Sequence, residues 1–256
     1  MRALLALLTT ALLAVTFAAC GGDDATKSSA PDGSESGGIT ASAETNATTP
    51  AADLPENQTD DTTAPDAGGC ETVKAPDTAD RTVKKPGKAD QLAKGAKATV
   101  TMKTSCGTIV ITLDTKNQPK TASTFAYLVK KGFYDGLPFH RIAGTPDNQF
   151  VIQGGSPGGA PDGGPGWSVQ EDPPADAKYT RGVVSMAKTG TEPAGTSGSQ
   201  FYIVTGADVG LPPDYAIAGK VTEGDDTVTK ISEVEKDGSD VPLEPVLIEK
   251  ATLKVQ

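Results

Sequence analysis

Leu137-Pro138-Phe139-His140-Arg141-Ile142 and, eight residues on, Phe150-Val151-Ile152-Gln153-Gly154-Gly155 form the stretch from which the fold is read. Each is a short run of aromatic and β-branched residues bounded by Gly, Pro, Asp or Asn, which is the signature of a strand between turns. Strands are expected at Leu137–Ile142 and Phe150–Gln153. With side chains alternating between faces, Arg141 is expected to share a face with Phe139, and Gln153 to share one with Val151.

The same grammar extends outward. Upstream, Ala98–Leu113 alternates β-branched residues around Ser105-Cys106-Gly107, which predicts a hairpin. Pro119 then opens a helix with Ala122, Phe125, Leu128 and Val129 on one face, and Gly132 ends it. Downstream, strands are expected at Gly182–Ala187, Gln200–Thr205, Ala216–Val221 and Val246–Val255. A second helix is expected at Asp225–Glu235, with Val228, Ile231 and Val234 inward. Many short strands, two helices and no alternating βαβ pattern point to a mainly β fold: a closed antiparallel barrel with helices over its open ends.

The chain has 256 residues, and 11 of its 12 aromatic residues lie between Phe125 and Tyr215. A packed core without aromatic bulk across residues 18–124 is improbable, so one folded domain is expected, at 96–256. Residues 20–95 are rich in Ala, Thr, Ser, Gly, Pro and Asp, and cannot offset the entropy of ordering a backbone. They read as a disordered tether. Ten acids against one base between Gly21 and Gly69 put the acidity of the chain there. With no basic patch, nucleic acid is not expected as a partner. One histidine and three scattered cysteines supply no zinc spacing, and no metal or other cofactor is expected.

Residues 1–19 read as a signal peptide: Met1-Arg2, an apolar run from Ala3 to Ala19, then Cys20. Ala18-Ala19-Cys20 resembles the bacterial lipobox, in which the cysteine carries the lipid. An ordinary signal peptide or an uncleaved anchor are the alternatives. The lipoprotein reading implies anchoring on the extracytoplasmic face of the cell membrane, stable when more than one acyl chain is attached. In an oxidising compartment the remaining pair, Cys70 and Cys106, could form a disulfide; two free thiols are the alternative.

Gly132-Phe133-Tyr134-Asp135-Gly136, Phe139-His140-Arg141, Phe150-Val151-Ile152-Gln153-Gly154-Gly155, Ser185-Met186-Ala187, Gly198-Ser199-Gln200-Phe201-Tyr202-Ile203 and Gly219-Lys220-Val221 occur in this order. Together they resemble the cyclophilins, over roughly 98–256, and the lipid-tethered form resembles actinobacterial members. The resemblance implies an eight-stranded barrel and peptidyl-prolyl cis–trans isomerase activity. It implies Arg141 as the catalytic residue and an apolar proline pocket of Phe150, Val151, Tyr202 and Leu211, with Tyr215 beside it. Gln153 and Gln200 would hydrogen-bond substrate or Arg141, and the Ala187–Lys188 backbone would pair with substrate amides. His140 reads as structural. The partners implied are proline-containing polypeptides, met by a monomer.

The sequence departs from the family pattern in several places. Ile142–Gln149 is longer than usual, Val151 replaces a methionine and Tyr202 a phenylalanine. Gly210 stands where many members have tryptophan, and Tyr215 where histidine is common.

The chemistry fits those residue types. An X–Pro amide turns over a barrier of about 18–20 kcal/mol because C–N resonance must be broken. A fixed, always-charged donor aimed at the prolyl nitrogen favours the twisted bond, whose lone pair becomes available only there. No nucleophile is required. Ser185-Met186-Ala187-Lys188 and Lys188-Thr189-Gly190 mimic penicillin-binding signatures, but one lysine cannot serve two separate elements. A proline-segment binding module with little turnover is the alternative to an isomerase.

Overall fold

The computed structural model of the chain describes residues 69–74, 76, 79, 81–159 and 163–256. The expected signal peptide, Cys20 and most of the expected tether lie outside the described residues.

Alternation over 98–113 folds as the hairpin β1 (Ala98–Thr104) and β2 (Gly107–Leu113), whose inward residues Val100, Met102, Ile109 and Ile111 are fully buried. Helix α1 (Pro119–Lys130) follows. Its N-cap, Gln118, makes no side-chain cap, and the carboxylate of Glu171 does that work from a distant loop. It accepts the N–H groups of Lys120 at 3.2 Å and Thr121 at 2.7 Å, an anion at the positive end of the helix.

Next come β3 (Leu137–Thr145) and β4 (Asn148–Gly154), the two-residue β5 (Val169–Gln170), β6 (Val183–Met186), the two-residue β7 (Thr196–Ser197), β8 (Phe201–Val204) and β9 (Ile217–Glu223). Helix α2 (Asp225–Ser232) and β10 (Leu247–Val255) complete the order. Eight strands close into an antiparallel barrel, β1-β10-β3-β4-β8-β6-β9-β2, and β5 pairs with β7 apart from it. Closure leaves no barrel strand with an open edge.

The barrel core is aliphatic along the strands and aromatic at one end. Phe125 of α1 packs against Tyr134 and Phe201, with ring centroids 5.2 and 5.3 Å apart, and Phe139 meets Phe201 at 6.0 Å. Burying each phenylalanine is worth about 2–3 kcal/mol. Helix α2 contributes Val228 and Ile231, both fully buried, to the same core cluster.

Two corrections to the sequence reading matter for the site. First, Arg141 and Phe139 do not share a face. Phe139 pairs with Gly154 and Arg141 with Gln153, so two steps on β3 meet one on β4. This bulge at His140 flips the alternation. Phe139 enters the barrel core, while Arg141 stands outside, because Ile142 and Ile152 beside it point in.

Second, the folded part does not begin at Ala96. Residues 81–95 lie on the domain and are not a free tether. Val83 and Leu92 pack against the core. Tyr127 Oη donates to Lys84 O at 2.8 Å, and Leu92 N–H donates to Ser123 Oγ at 3.0 Å. Gly95 N–H donates to Thr115 O at 3.1 Å. Two apolar anchors and partners for α1's polar groups offset the ordering of a segment whose composition alone argued against it. Further upstream, Cys70 and Cys106 form a disulfide across a sequence separation of 36. A loop of that size is worth about 3–4 kcal/mol on the chain-entropy account.

Candidate active site

The longer segment after Arg141 is absorbed by the β3–β4 hairpin, whose tip holds Pro146 and Asp147 between Thr145 and Asn148. A second bulge sits between Ala143 and Gly144: Ala143 pairs with Val151, Gly144 with Gln149, and Phe150 is the extra residue. Gly144 is needed here. Its φ is +102°, and a Cβ would come within 2.7 Å of Phe150 N. The insertion therefore extends the hairpin away from Arg141, which remains directly opposite Gln153.

That second bulge decides the pocket. In regular alternation Phe150 and Val151 would point to opposite faces. With Phe150 bulged, both join one apolar cluster outside the barrel wall, with buried Ala143, Tyr202 and Val204 and half-buried Ala187, Leu211 and Tyr215. The cluster is roofed by the segment carrying Leu211 and Tyr215. Tyr179 pins that roof from beneath: its hydroxyl donates to Tyr215 O at 2.7 Å and accepts Tyr215 N–H at 3.0 Å. The rings of Tyr202 and Tyr215 meet edge to face at 5.6 Å.

The polar side of the site is a short relay. Gln153 Nε2 donates to Gln200 Oε1 at 3.1 Å, and Gln200 Nε2 donates to Gly163 O at 2.9 Å. Gln153 is also in register with Tyr202 on β8. Arg141 is 42% exposed along its side chain, and one Nη donates to Asp240 Oδ2 at 3.2 Å. A guanidinium carries five N–H donors, so this contact orients it and leaves donors for a substrate. Asp240 is itself held in place, because its carbonyl accepts Ile142 N–H at 2.8 Å.

The Ala187–Lys188 segment sits as expected beside the pocket, with one limit. Ala187 N–H is committed to Gln200 O at 2.9 Å, which leaves substrate pairing to the Ala187 carbonyl or to Lys188. Lys188 Nζ lies over the Tyr215 ring, 5.4 Å from its centroid, a cation–π contact. Beyond Gln153 and Gln200 a cavity of about 650 Å³ opens between the loop 163–168 and the segment containing Ala187, Lys188, Thr189 and Glu192.

Electrostatics match a site that binds without acid–base chemistry. Burial, assisted by the charge of Arg141, lowers the His140 pKa to about 4, so the imidazole is neutral at neutral pH. Burial pushes the Tyr202 phenol well above its ordinary value. Among the described residues, His140 Nδ1 is buried without a hydrogen-bond partner, the Tyr202 hydroxyl lies against its cross-strand partner Ser185, and no cluster of three metal-ligating side chains occurs.

All the site residues named from the sequence, Arg141, Phe150, Val151, Gln153, Ala187, Lys188, Gln200, Tyr202, Leu211 and Tyr215, thus come together along one outer wall of the barrel. The sequence reading missed Tyr179, Asp240, Ala143 and the 163–168 wall. Asp240 is 99 residues from Arg141 in sequence, and no local pattern links them.

Comparison with known proteins fits this geometry. The family model "Cyclophilin type peptidyl-prolyl cis-trans isomerase/CLD" matches residues 99–253. The chain is 39% identical over 158 residues to the Schizosaccharomyces pombe peptidyl-prolyl cis-trans isomerase ppi1, covering 60% of this chain and 97% of that protein. It is 41% identical over 149 residues to a Helicobacter pylori peptidyl-prolyl cis-trans isomerase, covering 57% of this chain and 86% of that one. Among solved structures it is similar to a Cryptosporidium parvum cyclophilin-type isomerase crystallised in the presence of the dipeptide Ala-Pro. That match has a TM-score of 0.56 at 29% identity and covers 62% of this chain and 99% of that one.

Proposed function

Since the chain belongs to the cyclophilin-type peptidyl-prolyl cis–trans isomerases and is an isomerase of X–Pro bonds, we propose that Arg141 drives the reaction and that it takes place outside the cytoplasmic membrane.

The observation that carries the mechanism is the pairing of Arg141 with Gln153 on adjacent strands beside the Phe150–Val151–Tyr202–Leu211 cluster. A proline ring seated on the apolar cluster places its amide nitrogen next to a cation that is always charged. In the ground state the nitrogen lone pair is delocalised into the carbonyl and accepts nothing. As the bond twists, the lone pair localises and Arg141 donates to it, so the interaction exists only near the transition state. Each 1.36 kcal/mol of this preference is worth about tenfold in rate. Gln153, locked by Gln200, holds the flanking peptide, and the half-buried neutral His140 stays out of the chemistry.

The location rests on the apolar run before Cys20 and on the Cys70–Cys106 disulfide, a bond favoured in oxidising compartments. Its substrates are then proline-containing segments of exported proteins, and Cys20 carries the lipid. Replacing Cys20 by Ala is expected to release the protein from the membrane fraction; retention there would overturn the lipid assignment.

Exchange NMR on a short Ala-Pro peptide tests the mechanism. The full chain is expected to broaden the cis and trans resonances, and Arg141→Ala to abolish the broadening while peptide still perturbs protein chemical shifts. Full turnover by Arg141→Ala would refute the role of the arginine. Shift perturbation without exchange in the unaltered protein would favour a proline-binding module.

A further inference from the structure

The wall of the 650 Å³ cavity is built from Gly163-Gly164-Pro165-Gly166-Trp167-Ser168. Three glycines in six residues give this wall little stiffness of its own. Much of its middle is held by the segment that precedes the barrel. Val83 uses both of its backbone groups on the wall: its N–H donates to Pro165 O at 3.3 Å, and its carbonyl accepts from Trp167 Nε1 at 2.6 Å. Lys85 Nζ adds a bond to Ser168 O at 2.8 Å.

The strap is anchored on its other side. Arg81 Nη1 donates to Phe133 O at 2.9 Å and to Asp135 O at 2.5 Å. Tyr127 of α1 donates to Lys84 O, and its ring lies 6.4 Å from that of Trp167. The opposite end of the wall meets the catalytic relay directly, because Gly163 O is the acceptor that fixes Gln200, and Gln200 fixes Gln153. Residues 81–85 lie outside the family match, which begins at residue 99, so this brace belongs to the chain's own N-terminal extension.

We propose that residues 81–85 are a positioning strap that sets the cavity wall 163–168, and through it decides which side chains flanking the proline the enzyme accepts. The inference rests on the assignment of the Arg141–Gln153 site to X–Pro bonds. A peptide confined to the proline pocket does not touch the wall. A longer peptide with a bulky residue within two positions of the proline must fit against it. Without the strap the wall samples several positions, and affinity falls by the fraction of time it spends in the competent one.

The test compares the full chain with its Arg81→Ala variant on two substrates, a minimal Ala-Pro peptide and longer peptides with Phe or Leu near the proline. Among the described residues, Arg81 belongs neither to the proline cluster nor to the cavity lining. The expected result is a KM for the bulky peptides raised about three- to tenfold, with kcat kept and a smaller rise in KM for the minimal peptide, which meets the wall only through Gln200. Fluorescence of Trp167, the single tryptophan of the chain, is expected to shift to the red and become more quenchable by acrylamide, and Arg81→Lys is expected to recover part of both effects. Equal changes for both peptides, or none despite a Trp167 shift, would overturn the proposal. If Arg81→Ala does not fold, Lys85→Ala, exposed at the wall, carries the same comparison with the same outcomes. If the unaltered protein shows no exchange at all, it is the Arg141 reading that fails. Binding of the bulky peptides by chemical-shift perturbation, with and without the Arg81 side chain, then still decides whether the strap sets the wall.

Discussion

Lowering the pH from 7 to 5 is expected to destabilise this protein through one side chain. His140 is the only histidine in the chain, and in the fold its pKa is lowered from 6.5 to about 4, first by burial and then by the Arg141 charge. A group that binds its proton more weakly when folded contributes stability that is complete above its unfolded pKa and is lost as the pH falls toward the folded one. The window is therefore about 6.5 down to about 4. At about 1.36 kcal/mol per decade of affinity, the full loss is on the order of 3 kcal/mol. Roughly 2 kcal/mol of it is spent by pH 5, before ordinary carboxylates take up protons. Urea unfolding at pH 7, 6 and 5 reads the loss, and a single imidazole Cε1–H resonance reads the native titration without assignment. His140→Gln, which cannot be protonated, is expected to flatten the slope over this window. A native midpoint near 6, or an undiminished slope in His140→Gln, would refute the reasoning.

Two side-chain replacements probe the pocket wall and the helix cap. Tyr202→Phe removes a buried hydroxyl that lies against Ser185, its cross-strand partner on β6, and is expected to change the unfolding free energy by no more than about 1 kcal/mol with Ala-Pro turnover kept; a loss of turnover would show that the hydroxyl serves the reaction. Glu171→Ala strips the acceptor from two N–H groups at the start of α1, and is expected to cost about 1 kcal/mol in urea unfolding while leaving kcat unchanged, and an unchanged urea midpoint would refute the capping role.

The family of the protein was legible because its signals are local. Phe139-His140-Arg141, the Phe150–Gly155 run and the Gly198–Ile203 run each hold their spacing within one strand and its turn. The helix opened by Pro119 carries its own period, and the hairpin at 98–113 its own alternation. The same locality explains the errors. Alternation has a period of two only while a strand and its neighbour keep step. The bulge at His140 depends on β4, which a reading of β3 alone does not contain. Composition likewise assigned residues 81–95 to the tether, since nothing within them reveals that Tyr127 and Trp167 need acceptors.

By itself, then, the sequence determined the barrel class, the two helices and the family resemblance, and it picked out the arginine, apolar and amide side chains that the fold gathers on one wall. Only the tertiary structure decided that Arg141 faces outward beside Gln153 and that Phe150 and Val151 share one pocket. It alone brought Asp240 to the guanidinium and made the chain before residue 96 a brace for the cavity wall. The physical reason is common to all of these. Which residues favour a strand or a helix is settled within a few neighbours, whereas which face they show and whom they bond is settled by a partner segment up to 99 residues away.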